Sequence, residues 1–133
     1  MEKLNLGLAH IGLTVRDMEV SKRFYQDVLE FDLTYEYTLK KDTGDILLAF
    51  LSSGNCAIEL VQPPDSQPRE SGPVDHLALR VKDIDRVRAV LESRGVPFET
   101  GDIHYRADLF PNGSRWVFFR GPDGERLEIN ELL

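Results

Sequence analysis

Two stretches of this chain follow nearly the same plan: LAHIGLTV at residues 8–15 and VDHLALRV at residues 74–81. Each alternates aliphatic and other residues as a half-buried strand does, and each carries a histidine, His10 or His76, at the matching place. Laying one on the other, an offset of 66, also pairs Val15 with Val81, Arg16 with Lys82, Asp17 with Asp83 and Met18 with Ile84. A repeat of this kind outranks local propensity, because it sets the plan of the whole fold.

After the shared aspartate each half turns helical. In the first, Asp17 is placed to cap a helix whose apolar stripe is Val20, Phe24, Val28 and Leu29; in the second, Asp83 caps a helix striped by Ile84, Val87, Val90 and Leu91 and stopped by Gly95. Three β-segments are then expected in each half. They are residues 34–41, 45–52 and 56–62 in the first, and residues 96–100, 114–119 and 125–132 in the second, with turns at 53–55 and 121–124. Residues 63–73, PPDSQPRESGP, are too proline-rich for a helix or a central strand and read as a linker. The expected architecture is α+β: one domain over residues 1–133, built of two tandem βαβββ modules at 5–62 and 74–133.

The repeat brings a second coincidence. Glu59 in AIEL and Glu128 in RLEI hold equivalent places in the last strand of each half, at an offset of 69, the extra residues falling in the longer loop at 101–113. Side chains alternate across a strand. If Ile11, Leu13 and Val15 cover the helix, then His10, Gly12 and Thr14 lie on the other face. The same alternation puts His76, Glu59 and Glu128 on the helix-free faces of their strands. A lone strand histidine or glutamate is usually a solvated residue. Two histidines and two glutamates related by one repeat are better explained as a shared two-nitrogen, two-oxygen site for a divalent cation, since buried unpaired polar groups are costly.

Composition agrees with a soluble globular chain, at 133 residues, 41% hydrophobic and 29% charged. A formal charge of −7 argues against nucleic acid or an anionic membrane as the main partner, because both need a basic surface. No apolar run approaches the roughly 20 residues that cross a bilayer. The first seven residues lack an apolar signal-peptide core, and the single cysteine, Cys56, cannot form an internal disulfide. A cytoplasmic protein with a small-molecule substrate is expected, and at this size a homodimer.

HIGLTVRDMEVSKRFYQDVLEF, IELVQP, VDHLALRVKDIDRVRAVLESRG and FFRGPDGERLEINE together resemble the vicinal oxygen chelate superfamily, which groups glyoxalases, bleomycin-resistance proteins and extradiol dioxygenases. The resemblance spans essentially the whole chain. It implies that each module wraps a cupped mixed sheet beside a metal. The order His10, Glu59, His76, Glu128 matches metal-dependent isomerases similar to glyoxalase I. Epimerases of the group typically have Gln at the second place, dioxygenases lack that ligand, and bleomycin-binding members usually lack the set. The resemblance therefore implies a lyase or isomerase, with Ni, Zn, Co or Mn as the ion and Fe also admitted. By the same analogy Glu128 is the catalytic base, with Glu59 as partner or alternate, acting on a hydroxy-carbonyl or hemithioacetal substrate through an enediolate. A different metal enzyme of the group, an epimerase or dioxygenase, and a non-catalytic binding protein are the alternatives. Glutathione-dependent glyoxalases often carry Arg four residues after the first His and Asn four after the first Glu; Thr14 and Pro63 stand there instead.

Other residues are less decided. His104, in the long loop, is expected to be a solvated loop residue rather than part of a substrate lid. Arg80 shares the face of His76, with a substrate carboxylate and a protein carboxylate as equal candidates for its partner. Trp116 and Phe118 share one face of their strand, which is either the helix side or the substrate side. Cys56 belongs with Ile58 and Leu60 on the aliphatic face.

Overall fold

The structure, a computed structural model, describes residues 8–65 and 76–133. The chain divides into two compact units, Met1–Arg69 and Glu70–Leu133, each holding one four-stranded mixed sheet.

In the first unit β1 (Ile11–Thr14), α1 (Met18–Arg23), β2 (Asp32–Leu39), β3 (Ile46–Ser53) and β4 (Cys56–Gln62) follow in order. The sheet order is β1-β4-β3-β2, so the first strand returns beside the last, in parallel, while the other pairs are antiparallel. The second unit repeats this with β5 (Leu77–Arg80), α2 (Ile84–Ser93), β6 (His104–Arg106), β7 (Ser114–Arg120) and β8 (Arg126–Leu132), ordered β5-β8-β7-β6. The helix of each unit covers one face. Ala49, Leu51, Ile58 and Leu60 are fully buried on that face in the first unit, as are Val117, Phe119 and Leu127 in the second. Burying such side chains contributes about 1.5–3 kcal/mol each, the main source of stability for sheets this small.

Both caps form as expected. The Asp17 carboxylate accepts from the Glu19 and Val20 amides, that of Asp83 accepts from the Arg86 amide, and Gly95 sits at φ +90° just past the end of α2. The last strand supplies a further acceptor in each unit. Gln62 Oε1 takes the Met18 amide at 2.6 Å, and the Glu131 carboxylate takes those of Asp83 and Ile84 at 2.6 and 3.2 Å. Strand and helix N-terminus are thereby locked together in both halves.

Three expectations need correction. The stripe of the first helix is rotated: Val20 is exposed, and Met18, Ser21 and Tyr25 are buried instead. The helix passes at Phe24–Val28 into a π-helical turn, in which the Leu29 amide bonds the Phe24 carbonyl, and a wider turn shifts the facing residues. Residues 96–100 do not form a sheet strand. Phe98 makes one isolated bridge to Phe119, while the Arg88 guanidinium lies 5.0 Å from the Phe98 ring and binds the Thr100 and Gly101 carbonyls, holding the segment against α2. The edge strand is instead His104–Arg106, inside the stretch expected to be loop. Of the 63–73 linker, residues 66–73 lie outside the described residues.

Candidate metal centre

The return of the first strand beside the last brings each histidine to its glutamate. Gly12 is the register partner of Glu59 in the β1–β4 pair, and Ala78 that of Glu128 in β5–β8. His10 and His76 precede those small residues by two positions on the same face, so each imidazole reaches diagonally to the carboxylate. His10 Nε2 lies 3.7 Å from Glu59 Oε1, and His76 Nε2 lies 3.5 Å from Glu128 Oε2. A methyl group at Gly12 would stand 3.7 Å from Glu59 Oε1, an ordinary contact, so the approach of the carboxylate does not itself require glycine there.

The third strand of each sheet, counted along the chain, contributes a phenylalanine; the sequence reading singled out Phe118 and missed Phe50. Phe50 is opposite Glu59 and Phe118 opposite Glu128 in the antiparallel pairs. Each phenyl ring meets its histidine edge-to-face, at 5.4 Å in both units, with interplanar angles of 88° for His10–Phe50 and 82° for His76–Phe118. Such contacts fix the tilt of the imidazole. The signal was available: both phenylalanines lie in the penultimate strand of their half, at an offset of 68 that lies between those of the histidines and the glutamates.

The donor chemistry fits a divalent cation. Two donors held by one four-coordinate ion at about 2.1 Å lie about 3.4 Å apart. The two observed separations are near that value and longer than a good hydrogen bond. Within either unit, among the described residues, these ligand types gather as pairs and not as groups of three.

The two carboxylates have different surroundings. The Glu59 side chain is 22% exposed, the Glu128 side chain 9%. Burial pushes the Glu128 carboxyl above the usual carboxylate range, opposed in part by the charge of His76, a hydrogen bond from Asn130 and the charges of Arg126 and His104. Asn130 is itself oriented, because its carbonyl oxygen accepts from the buried Ser114 hydroxyl at 3.3 Å, which leaves its amide N–H to donate to the carboxylate.

The undecided residues are now placed. Trp116 and Phe118 lie on the face of Glu128, away from the helix, while Val117 and Phe119 fill the core. His104 is not a loop residue: it pairs with Trp116 across β6–β7 and stacks on the indole, with centroids 5.5 Å apart and planes 27° apart. The Arg126 guanidinium lies 3.8 Å from the Phe118 ring centroid, within cation–π range. Cys56 is half-buried, and burial pushes its thiol up, away from the reactive thiolate. Thr14 is on β1 and Pro63 directly follows β4.

Comparison with known proteins decides the family. A sequence profile of the Glyoxalase/Bleomycin resistance protein/Dioxygenase superfamily matches residues 7–129. The chain belongs to that superfamily. Among its relatives, the uncharacterized protein YaeR of Escherichia coli (strain K12) is 40% identical over 92% of this chain and 93% of its own. The 2-epi-5-epi-valiolone epimerase of Actinomyces sp is 30% identical, over 92% of this chain and 78% of its own. The fold is shared with the fosfomycin resistance protein FosX of Listeria monocytogenes, solved with Mn(II) and sulfate, at a TM-score of 0.73 and 17% identity, covering 98% of this chain and 95% of that one. No helix among the described residues is long and apolar enough to cross a membrane.

Proposed function

We propose that His10 with Glu59, and His76 with Glu128, are ligands of a divalent metal ion, Ni, Zn, Co, Mn or Fe, and that the protein is a metal-dependent isomerase or lyase of the glyoxalase I type. The observation that carries this reading is the repeated pair: in both units a histidine Nε2 stands against a carboxylate oxygen, at 3.7 and 3.5 Å, with a phenyl edge holding the ring. The Mn(II) in FosX supports a divalent ion in this superfamily fold.

An ion bound there would supply a Lewis acid that polarises two adjacent substrate oxygens and acidifies the C–H between them. The chain's own part is proton transfer. A Glu128 carboxylate oxygen takes the proton from that carbon, leaving an enediolate, and returns it to the neighbouring carbon. Glu128 is favoured over Glu59 as the base because it is more buried and is aimed by Asn130. The substrate class is a small hydroxy-carbonyl compound or a hemithioacetal. Thr14 and Pro63 stand at the two positions that grip the tripeptide in related glyoxalases, so a glutathione adduct is one candidate beside other thiol adducts and other vicinal-oxygen substrates. The proposed assembly is a cytoplasmic homodimer, checked by sedimentation.

An epimerase is the second reading, favoured by the Actinomyces relative. It would have Glu128 take the proton from one face of the carbon and a second acid, for which Glu59 is the candidate, return a proton to the same carbon from the opposite face. Elemental analysis of protein purified without chelators should find a metal, lost in the double variant His10→Ala, His76→Ala. In deuterated water, Glu128→Gln should abolish exchange at the substrate carbon while metal remains bound. Unchanged exchange would remove Glu128 as the base; absence of metal would remove both catalytic readings.

A further inference from the structure

The face that carries His76 and Glu128 also carries a cation with no assigned task. Arg80 is the last residue of β5, exposed, four residues after His76 and on the same side of the strand as Ala78. Its register partner on β8 is Asn130, two residues from Glu128, or about 7 Å along the strand.

Five other arginines of this unit are held by carboxylates. Arg88 pairs with Glu92, Arg106 with Asp108, Arg115 with Asp85, and both Arg120 and Arg126 with Glu99. In a chain of formal charge −7, carboxylate partners are plentiful. Arg80 nevertheless has no ion pair or side-chain hydrogen bond among the described residues. Nor does it neutralise the buried carboxylate, since the cationic groups acting on Glu128 are His76, Arg126 and His104.

The strand row running from Arg80 is built differently from its counterpart. Across the second sheet it reads Arg80, Asn130, Trp116, His104, where the first sheet has Thr14, Val61, Leu48, Tyr37. One row offers a fixed cation and an amide beside an indole face; the other is largely apolar. A guanidinium presents a planar fork of donors that matches a carboxylate or phosphoryl oxyanion two bonds at a time.

We propose that Arg80 binds an oxyanion group of the substrate, a carboxylate or a phosphoryl group, a few bonds from the oxygens held beside Glu128. The inference deepens the enzymatic reading above and rests on it for the word substrate, but the anion site is testable without metal or turnover. Full-length protein stripped with chelator is titrated calorimetrically with acetate, methylphosphonate and inorganic phosphate, with glycerol as the neutral control. Saturable binding of at least one oxyanion at millimolar or tighter affinity is expected, and the preferred probe tells carboxylate from phosphoryl recognition. Arg80→Gln should weaken it by about tenfold or more, Arg80→Lys by less, and the neighbouring exposed Lys82→Gln by under about twofold. Retention of binding in Arg80→Gln, an equal loss in Lys82→Gln, or no saturable binding of any oxyanion by the native chain overturns the proposal. Failure of the metal reading appears separately, as absence of metal in the elemental analysis with the Arg80 dependence intact.

Discussion

The two units share a scaffold and differ in what they place on it. Both return the first strand beside the last, both cap the helix from an aspartate and from the final strand, and both set a histidine and a phenylalanine around a glutamate. The residues beyond that shared core then diverge. Glu59 is flanked on its strand by Val61, whereas Glu128 has Asn130, held by Ser114, at the equivalent place. The outer strand of the first sheet carries the exposed pair Tyr35 and Tyr37, stacked with planes 8° apart. That of the second carries His104 on Trp116. Duplication thus explains why a histidine–glutamate pair exists twice. Divergence of the neighbours explains how two equivalent carboxylates come to have different environments.

The Ser114–Asn130–Glu128 chain is the largest of these differences in energy. Asn130→Val, which gives the second unit the residue type of the first, strands the fully buried Ser114 hydroxyl and removes the donor from a desolvated carboxylate. A loss of about 1–3 kcal/mol is expected in urea unfolding at neutral pH, and Val61→Asn should not repay it in the same background. A cost near zero would show that the hydrogen-bonded chain contributes nothing and that the two units are closer than their sequences suggest.

The strand-to-helix locks come next. Gln62 accepts one amide and is neutral; Glu131 accepts two and places a negative charge at the helix N-terminus. Glu131→Ala should therefore cost about 1–2 kcal/mol, and Gln62→Ala about half as much, in thermal or urea unfolding. Equal costs would mean that the charge at the helix end adds nothing.

The smallest effect concerns acid. Asp85, whose carboxyl is held below the usual range by hydrogen bonds from Arg115, has no counterpart on the first helix, where Glu19 occupies the aligned place and meets Lys22. A carboxyl depressed by folding stabilises the native state above its unfolded value and loses that contribution as pH falls through the native one. Melting temperature should drop slightly more steeply below the carboxylate range in the native chain than in Asp85→Asn. At an exposed pair the difference should shrink in high salt.

What was legible in the sequence follows from its periodicities. The first and last strands of each half, the aspartate caps and the Gly95 stop are local signals, and these lie where expected. That each histidine shares a face with its glutamate was legible because duplication writes the pair twice. The rotation of α1 was not visible, since a π-helical turn depends on how Tyr25 and Phe31 pack beneath it, a tertiary condition. The strand at residues 96–100 failed for a similar reason: Val96 and Phe98 have strand propensity, but Arg88 draws the segment to the helix. Propensity is overridden wherever a long-range contact is worth more than the local preference.

The sequence by itself determined the βαβββ plan, its duplication and the polar faces of the strands, because each is written in spacing along the chain. Only the tertiary structure decided that the first strand lies parallel to the last, and with it which histidine meets which glutamate and which ring steadies it. Strand order, unlike strand pattern, is set by packing among segments far apart in sequence. His104 shows the difference well: a solvated loop residue by its neighbours in the chain, it is a partner of Trp116 by its neighbours in space.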